Sequence, residues 1–507
     1  MVEVEVVVEA VDVAVLGAGF GGLAVAIDLV RAGLTDFVIV DAADGVGGTW
    51  RANTYPGAAC DVMSHLYSLS STPKKDWSRT YATQPEILDY LEGVADRWGL
   101  RPHLRLGTAV RAATWDETGQ RWHLTDAAGG TLTARVVVCA LGLLSRPARP
   151  DLPGLDDFAG RAYHSARWDH ADDLTGARVA VVGTGASAVQ VVPALARVAA
   201  SVEVFQRSPA WVLPKLDRPH TPRELRRFTK VPLAARVHRW RTYWRYERST
   251  SFRSGDAAAR ERTAMALGHL ERRIADPALR AALTPDYALG CKRVLVSNAF
   301  YKALTLPHVR LVSERIERVT AGGLRTADGE QHDVDTVVLA TGFTATEHLA
   351  GLDVTGRGGR RLHDDWRDGA HAHLGITVTG YPNLFLIYGP GTNQGGNSIV
   401  FLLECQARYV VTLLRQARRR GVGTLEVREP VMRRYDRRHR RALARSVWET
   451  GGCTSYFRAA SGRVTTQLPH TSLWYWSRTR WPRWSAFHAR PAVGQDAGRA
   501  ERARVAA

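Results

Sequence analysis

The strongest constraint in this chain is a glycine pattern that occurs twice in the same setting. The first copy is Gly17-Ala18-Gly19-Phe20-Gly21-Gly22, preceded by Val11–Leu16 and followed by an apolar-periodic stretch to residue 32. The second is Gly183-Thr184-Gly185-Ala186-Ser187-Ala188, preceded by Arg178–Val182 and followed by a helical pattern to residue 199. A second strand-like stretch follows each, Phe37–Val40 and Ser201–Phe205. Strand, tight glycine turn, helix and second strand open a dinucleotide-binding βαβ unit. Gly17, Gly19 and Gly183, Gly185 would bring backbone N–H groups and a helix N-terminus against a pyrophosphate. Gly22 would let helix and strand pack closely, and Ser187 stands at the start of the second helix. One such turn is weak evidence. Two in full context predict an α/β chain with two Rossmann-like dinucleotide-binding domains.

The residue ending the second strand differs between the copies. In the first it is Asp41. A carboxylate there accepts hydrogen bonds from ribose hydroxyls and repels a 2′-phosphate, so this site suits FAD or NAD. The second copy reads Gln206-Arg207-Ser208-Pro209, with no acid. A guanidinium binds a 2′-phosphate bidentately, and the Ser208 hydroxyl adds a donor, so this site suits NADPH. Two different dinucleotides in one chain imply electron transfer between them.

With 507 residues, two or three domains are expected. The spacing predicts an FAD-binding domain over 1–150 and 375–480, an NADPH-binding domain over 151–374 with an all-helical insertion at about 217–285, and a disordered tail over 481–507. Hairpin-like alternation appears at 121–125 with 131–140, and again at 324–326 with 335–342, while 398–420 reads as a long amphipathic helix. The formal charge of +18 could signal nucleic acid or a membrane surface. No basic and aromatic nucleic-acid motif accompanies it, so it reads as solvated Arg-rich faces. The five cysteines, at 60, 139, 291, 405 and 453, form neither a CxxC pair nor a zinc-spaced cluster. They read as reduced thiols of a cytoplasmic protein, and no metal site is expected. The uncharged run 13–27 is too short to span a membrane and contains four glycines.

Two further patterns carry a resemblance. Between the glycine turns lie Phe158, Gly160, His164, Trp168 and Asp169, spaced as FxGxxxHxxxW(P/D). Upstream, Gly48, Trp50, Tyr55, Pro56, Gly57 and Asp61 match GxWxxxxYPGxxxD. With both in place the chain resembles the type I Baeyer–Villiger monooxygenases from about residue 10 to 480. The resemblance implies that NADPH reduces FAD, that oxygen adds to flavin carbon 4a, and that the resulting peroxide converts a ketone to an ester or lactone. It also implies that Arg293 and Asp61 are the active-site pair, that Lys292 is a second contact to the NADPH 2′-phosphate, and that Gly48, Trp50 and Tyr55 border the flavin. Asn397 or Ser398 would cap the helix at 398, directing its dipole toward the flavin pyrimidine ring. A fixed guanidinium is chemically apt for Arg293, since it can stabilise a peroxide anion and the adduct that follows. Asp61 would orient it and offset its burial. His164 and Trp168 are read as structural linker residues. The chain departs from its relatives in Cys453-Thr-Ser455-Tyr456-Phe457 and in Gly391, where relatives often have Trp-Tyr and Asn. A nitrogen- or sulfur-oxygenating flavin monooxygenase is the alternative reading. A flavin reductase or NADPH oxidase, or a non-enzymatic basic binding protein, stands further off.

Overall fold

In the computed structural model, residues 9–249, 253 and 255–493 are described. Two sheets organise them. The first is eight-stranded, in the order Asp353–Thr355, Val110–Asp116, Arg121–Asp126, Thr131–Cys139, Glu9–Leu16, Phe37–Val40, Leu104–Arg105, with Leu384–Leu386 also paired to Thr131–Cys139. Glu9–Leu16 pairs in parallel with both neighbours, and its inner half, Val13 to Leu16, is buried. That is why the sequence there is a continuous apolar run rather than an alternating one. The helix Phe20–Arg31 lies over the sheet beside the 21-residue helix Ile399–Arg419, whose apolar stripe supplies Val400, Leu403, Ala407 and Val410 to the same core.

The second sheet has five parallel strands, ordered Val309–Val312, Ser201–Phe205, Arg178–Val182, Thr336–Leu339, Arg161–His164. The helix Ala188–Leu195 covers it through Ala188, Val189, Val191 and Val192. Between the short parallel pair Val212–Leu213 and Leu295–Val296 come the helices Pro222–Lys230, Ala234–Ser249, Ala257–Arg273 and Pro277–Ala282. The first opens on a capping box in which Thr221 and Glu224 satisfy each other's backbone N–H groups, with Pro222 inside the first turn.

Three sequence expectations need correction. The chain has already rejoined the first sheet at Asp353–Thr355, well before residue 375. That strand has only three residues, too few to display a period. The expected tail over 481–507 is folded in its first part: Phe487–Pro491 pairs antiparallel with Val422–Val427, Ala486 and Phe487 are buried, and Arg420 stacks on Trp484. The Ala- and Arg-rich composition hid these apolar anchors, and residues 494–507 lie outside the described ones. Finally, Cys291 and Cys453 are not free thiols but a disulfide, with Cα atoms 6.1 Å apart across 162 residues of chain. No local spacing can announce a pairing over that distance. Cys60, Cys139 and Cys405 are free and buried.

Candidate active site

The two glycine turns have the same construction. Gly17 has φ +110°, and a Cβ on it would fall 2.5 Å from the Ala140 carbonyl oxygen. Gly183 repeats this with φ +112° and the Ala340 oxygen at 2.6 Å. Gly22 lies against the turn so closely that a Cβ would be 1.8 Å from the Gly17 oxygen. Protein contacts alone therefore demand glycine at these three positions. Gly19 and Gly185 are different. A Cβ on Gly19 would meet nothing nearer than the Gly48 Cα at 3.6 Å, and one on Gly185 would point into open space. Their missing side chains leave room in front of a helix N-terminus, which is the cradle a pyrophosphate requires. Gly48, with φ +54°, packs directly on Gly19 and so shapes the first cradle.

Asp41 ends its strand as expected, but the carboxylate is engaged by the backbone. It accepts from Ala18 N–H at 2.6 Å and from Ala43 N–H at 2.8 Å. The first contact ties the glycine turn to the strand end, and each oxygen keeps a lone pair for a ribose hydroxyl. Opposite charge governs the second site. Arg207 is exposed, and the Lys292 ammonium donates to the Ser208 hydroxyl at 2.6 Å while resting over the Tyr287 ring. Burial, and then the charge of Arg207, lower the Lys292 pKa. Two cations and a hydroxyl thus gather around a space where an anion would relieve their repulsion.

Beside this cluster, Arg293 meets Asp61. The guanidinium donates through Nε to Asp61 Oδ2 at 3.1 Å and through Nη2 to the same oxygen. Both groups lie deep in the molecule, yet their side chains keep 35% and 27% of their surface accessible, so they face an internal cleft. Burial alone would raise the Asp61 pKa; the charge and hydrogen bonds of Arg293, with Lys215 further off, reverse that and hold it below the usual carboxylate range. Asp61 in turn raises the Arg293 pKa against the cost of its burial. Both shifts favour the charged forms, and the pair fixes one edge of the guanidinium while the side chain stays partly accessible.

Other expected residues sit at the edges. Tyr55 is buried, and its hydroxyl donates to Gln190 on the helix following the second glycine turn, at 2.9 Å, so it joins the two sheets' units. Trp50 donates to the Tyr67 hydroxyl at 3.1 Å. Ser187 is the residue before the helix Ala188–Leu195 and makes no capping bond to it. The expected cap at 397–398 is corrected: Ser398 makes no capping hydrogen bond, while Asn397 accepts from Ser398 N–H and donates to Glu247 at 2.8 Å. Glu247, on the helical insertion, also accepts from Leu473 N–H, and this competing carboxylate draws Asn397 away from the helix end. His164 is structural. Its Nδ1 accepts from Ala166 N–H and its Nε2 donates to the Gly342 oxygen, fixing a neutral tautomer. Trp168 packs edge-on against Tyr163. Tyr475 is fully buried, donating to the Leu374 oxygen, so the aromatic run 474–476 is anchored by packing.

Two site residues escaped the sequence. Tyr388, at φ +63°, donates to Asn393 at 2.7 Å and is close enough to Arg293 and Asp61 to feel both charges. Lys215, nearly buried, lies 3.8 Å from Asp217 and above the Tyr81 ring, on the Asp61 side. No short-range signal marks either. Gly391, a departure from relatives, is explained: at φ +72°, a Cβ would fall 2.8 Å from His439 Nε2.

Two dinucleotide-binding units that share a cleft, one turn closed by a carboxylate and the other flanked by cations, define a flavoprotein oxidoreductase driven by a nicotinamide cofactor. Comparison with known proteins narrows this class. Residues 14–238 match the family model described as pyridine nucleotide-disulphide oxidoreductase. A Baeyer–Villiger monooxygenase of Pseudomonas aeruginosa is 43% identical over 478 residues, covering 94% of this chain and 91% of the relative. A closed crystal structure of cyclohexanone monooxygenase superimposes with a TM-score of 0.86 at 29% identity, over 96% of this chain and all of the other. A complex of OTEMO with FAD and NADP gives 0.85 at 27% identity, over 95% and 99%. The chain belongs to the Baeyer–Villiger monooxygenase family, and it is a monooxygenase that uses FAD and NADPH. Among the described residues no helix is long and apolar enough to cross a membrane.

Proposed function

We propose that the Arg293–Asp61 pair is the catalytic centre, that Gly17, Gly19, Gly22, Asp41, Gly48, Trp50, Tyr55 and Asn397 form or border the FAD site, and that Gly183, Gly185, Ser187, Arg207, Ser208 and Lys292 hold NADPH. The substrate is a ketone, and with O2 it yields an ester or lactone. FAD, once reduced by NADPH, supplies the activated oxygen.

The protein's own contribution is electrostatic and geometric. Gly19 and Gly185 keep side chains out of the two pyrophosphate positions, so each cofactor is set by backbone N–H groups at a helix start. Arg207, Ser208 and Lys292 bind the 2′-phosphate, which both selects NADPH and neutralises two adjacent cations. Arg293 then stabilises the negative charge that develops on oxygen during insertion beside the carbonyl. Such a preorganised donor needs no reorientation at the moment of reaction. Asp61 takes two N–H groups of the guanidinium, which restrains its plane and leaves the others facing the cleft.

The observation that carries this reading is the ion pair lining a cleft next to Lys292. An arginine recruited only for stability would be sealed in by protein, whereas the Arg293 side chain keeps 35% of its surface accessible. The experiment is incubation of the FAD-loaded enzyme with NADPH, O2 and a panel of cyclic and linear ketones, with product masses determined. Addition of one oxygen to a ketone, giving an ester, supports the reading. Oxygenation of sulfides or amines with no ester from any ketone would replace it with heteroatom oxygenation.

A further inference from the structure

The disulfide occupies an unusual place. Cys291 immediately precedes Lys292 and Arg293, and Cys453 lies three residues before Tyr456. Around the cross-link, Ala288 N–H donates to the Gly451 oxygen at 2.9 Å, and Gly451 approaches so closely that a Cβ on it would lie 2.8 Å from the Cys291 Cβ. Trp211, Tyr287, Val447, Trp448 and Phe457 enclose it. From there the chain runs to the loop before the helix Ile399–Arg419, where Gly391 N–H donates to Thr465 O and Asn393 N–H to Thr466 O, both at 2.8 Å. Residues 453–465 are thus fastened at one end to the Lys292–Arg293 loop and at the other to the 391–393 loop. Between these fastenings Tyr456 packs against Phe457 and stands beside the Arg293 guanidinium, near enough to feel its charge, while keeping 43% of its surface accessible.

We propose that the Cys291–Cys453 cross-link is a positioning device for oxygen insertion: it holds the 453–457 turn so that Tyr456 closes one side of the Arg293 cleft, and its reduction loosens that closure. The proposal rests on the assignment of Arg293 given above. The two sulfurs act through Tyr456 and through the backbone of the residues flanking them. Reduction is a thiol–disulfide exchange with a dithiol. The S–S bond breaks, two S–H bonds form at Cys291 and Cys453, and the dithiol surrenders two electrons and two protons as it becomes a cyclic disulfide. Excess oxidised dithiol runs the exchange backwards. A cross-link that merely restricts the unfolded chain would alter stability alone. One that positions Tyr456 alters how much of the NADPH oxidised ends in product.

The test uses FAD-loaded enzyme purified without reductant, the same enzyme after dithiothreitol, and the variants Cys453→Ser and Tyr456→Phe. Denatured untreated enzyme should titrate only the three free thiols of Cys60, Cys139 and Cys405. Reduced enzyme and Cys453→Ser should be cleaved faster by protease within 451–465. Each should also release more peroxide per NADPH and show a higher KM for NADPH, by about threefold to tenfold, as expected for a modest misplacement. The rate of flavin reduction at saturating NADPH should change little. Dithiothreitol should add nothing to Cys453→Ser, and oxidised dithiol should restore the wild type. Tyr456→Phe should share the loss of coupling but not the protease sensitivity. Titration of all five cysteines in the untreated enzyme overturns the proposal, and so does a Cys453→Ser enzyme that is less stable yet fully coupled. Should Cys453→Ser fail to fold, reduction and reoxidation of the wild type decide the same question. Failure of the Arg293 assignment itself would be read separately, from Arg293→Ala.

Discussion

The two glycine turns share a backbone and differ in how each is finished. At the first, Asp41 accepts N–H groups from both Ala18 and Ala43, so the turn, the strand end and the following loop are tied together. Gly48 then packs on Gly19 from outside. At the second, Arg207 is exposed, Gly185 faces open space, and Lys292 reaches only as far as Ser208. One turn is completed by the protein's own chain, whereas the other gathers positive charge that only an anion can satisfy. The backbone pattern suits a dinucleotide at both; the residues after the second strand and the contacts around them are what distinguish the two proposed sites. The first site suits a resident cofactor and the second suits one that exchanges.

This comparison breaks most visibly at Gly19. Gly19→Val should abolish FAD retention, because the side chain would occupy the pyrophosphate position while disturbing little of the protein itself. The purified variant should be colourless, and a fully yellow protein would show that the first turn is not the FAD site. The next effect is on cofactor choice. Arg207→Ala should raise the KM for NADPH by about tenfold to a hundredfold, the equivalent of a charge-assisted pair of roughly 1.5–3 kcal/mol, and leave NADH almost unaffected. Equal losses with both nucleotides would remove Arg207 from the phosphate site. A smaller effect is expected at Asp41. Asp41→Ala removes an acceptor from two backbone N–H groups, so FAD should dissociate faster on dilution and the melting temperature should fall, by about 1–3 kcal/mol of stability. An unchanged FAD release rate would mean that the carboxylate closes nothing.

The smallest effect is sought at the edge strand of the second sheet, at His164. Burial lowers its pKa, and its Nδ1 already accepts a backbone N–H. The unfolded chain therefore takes up this proton first. The contribution of His164 to stability is complete above the unfolded value of about 6.5 and declines as pH falls through it toward the lower folded value. His164→Gln can still donate to the Gly342 oxygen but cannot titrate. Its melting temperature should fall less than that of the wild type between about pH 7 and pH 5. Parallel curves would assign the acid sensitivity to other histidines.

What the sequence disclosed follows from how local each feature is. Gly17, Gly22 and Gly183 are legible because a single turn forbids a Cβ, and Asp41 and Arg207 because each stands within two residues of the end of a short strand. Arg293 and Asp61 could not be paired from spacing, being 232 residues apart, and were reached through resemblance alone. The Cys291–Cys453 cross-link, the Tyr55–Gln190 contact and the Glu247 carboxylate that holds Asn397 join segments far apart in the chain, and nothing beside each residue names its partner. Phe487–Pro491 was hidden by composition: one buried phenylalanine and a backbone ladder are enough to order a segment that otherwise looks like a tail.

The central claim is that Arg293 serves the charge that appears during oxygen insertion and not the binding of flavin. The most direct measurement follows NADPH loss, peroxide release and ester yield together in Arg293→Ala, with Arg293→Lys as the charge-retaining control. Arg293→Ala should be yellow and still oxidise NADPH, more slowly, with the electrons passing to O2 and appearing as hydrogen peroxide. Its ester formation should fall by at least ~100- to 1000-fold, the cost of losing one preorganised oxyanion donor. Arg293→Lys should recover part of the ester, since it keeps the charge but loses the planar fork that Asp61 grips. Ester formation by Arg293→Ala at near wild-type coupling would contradict the account.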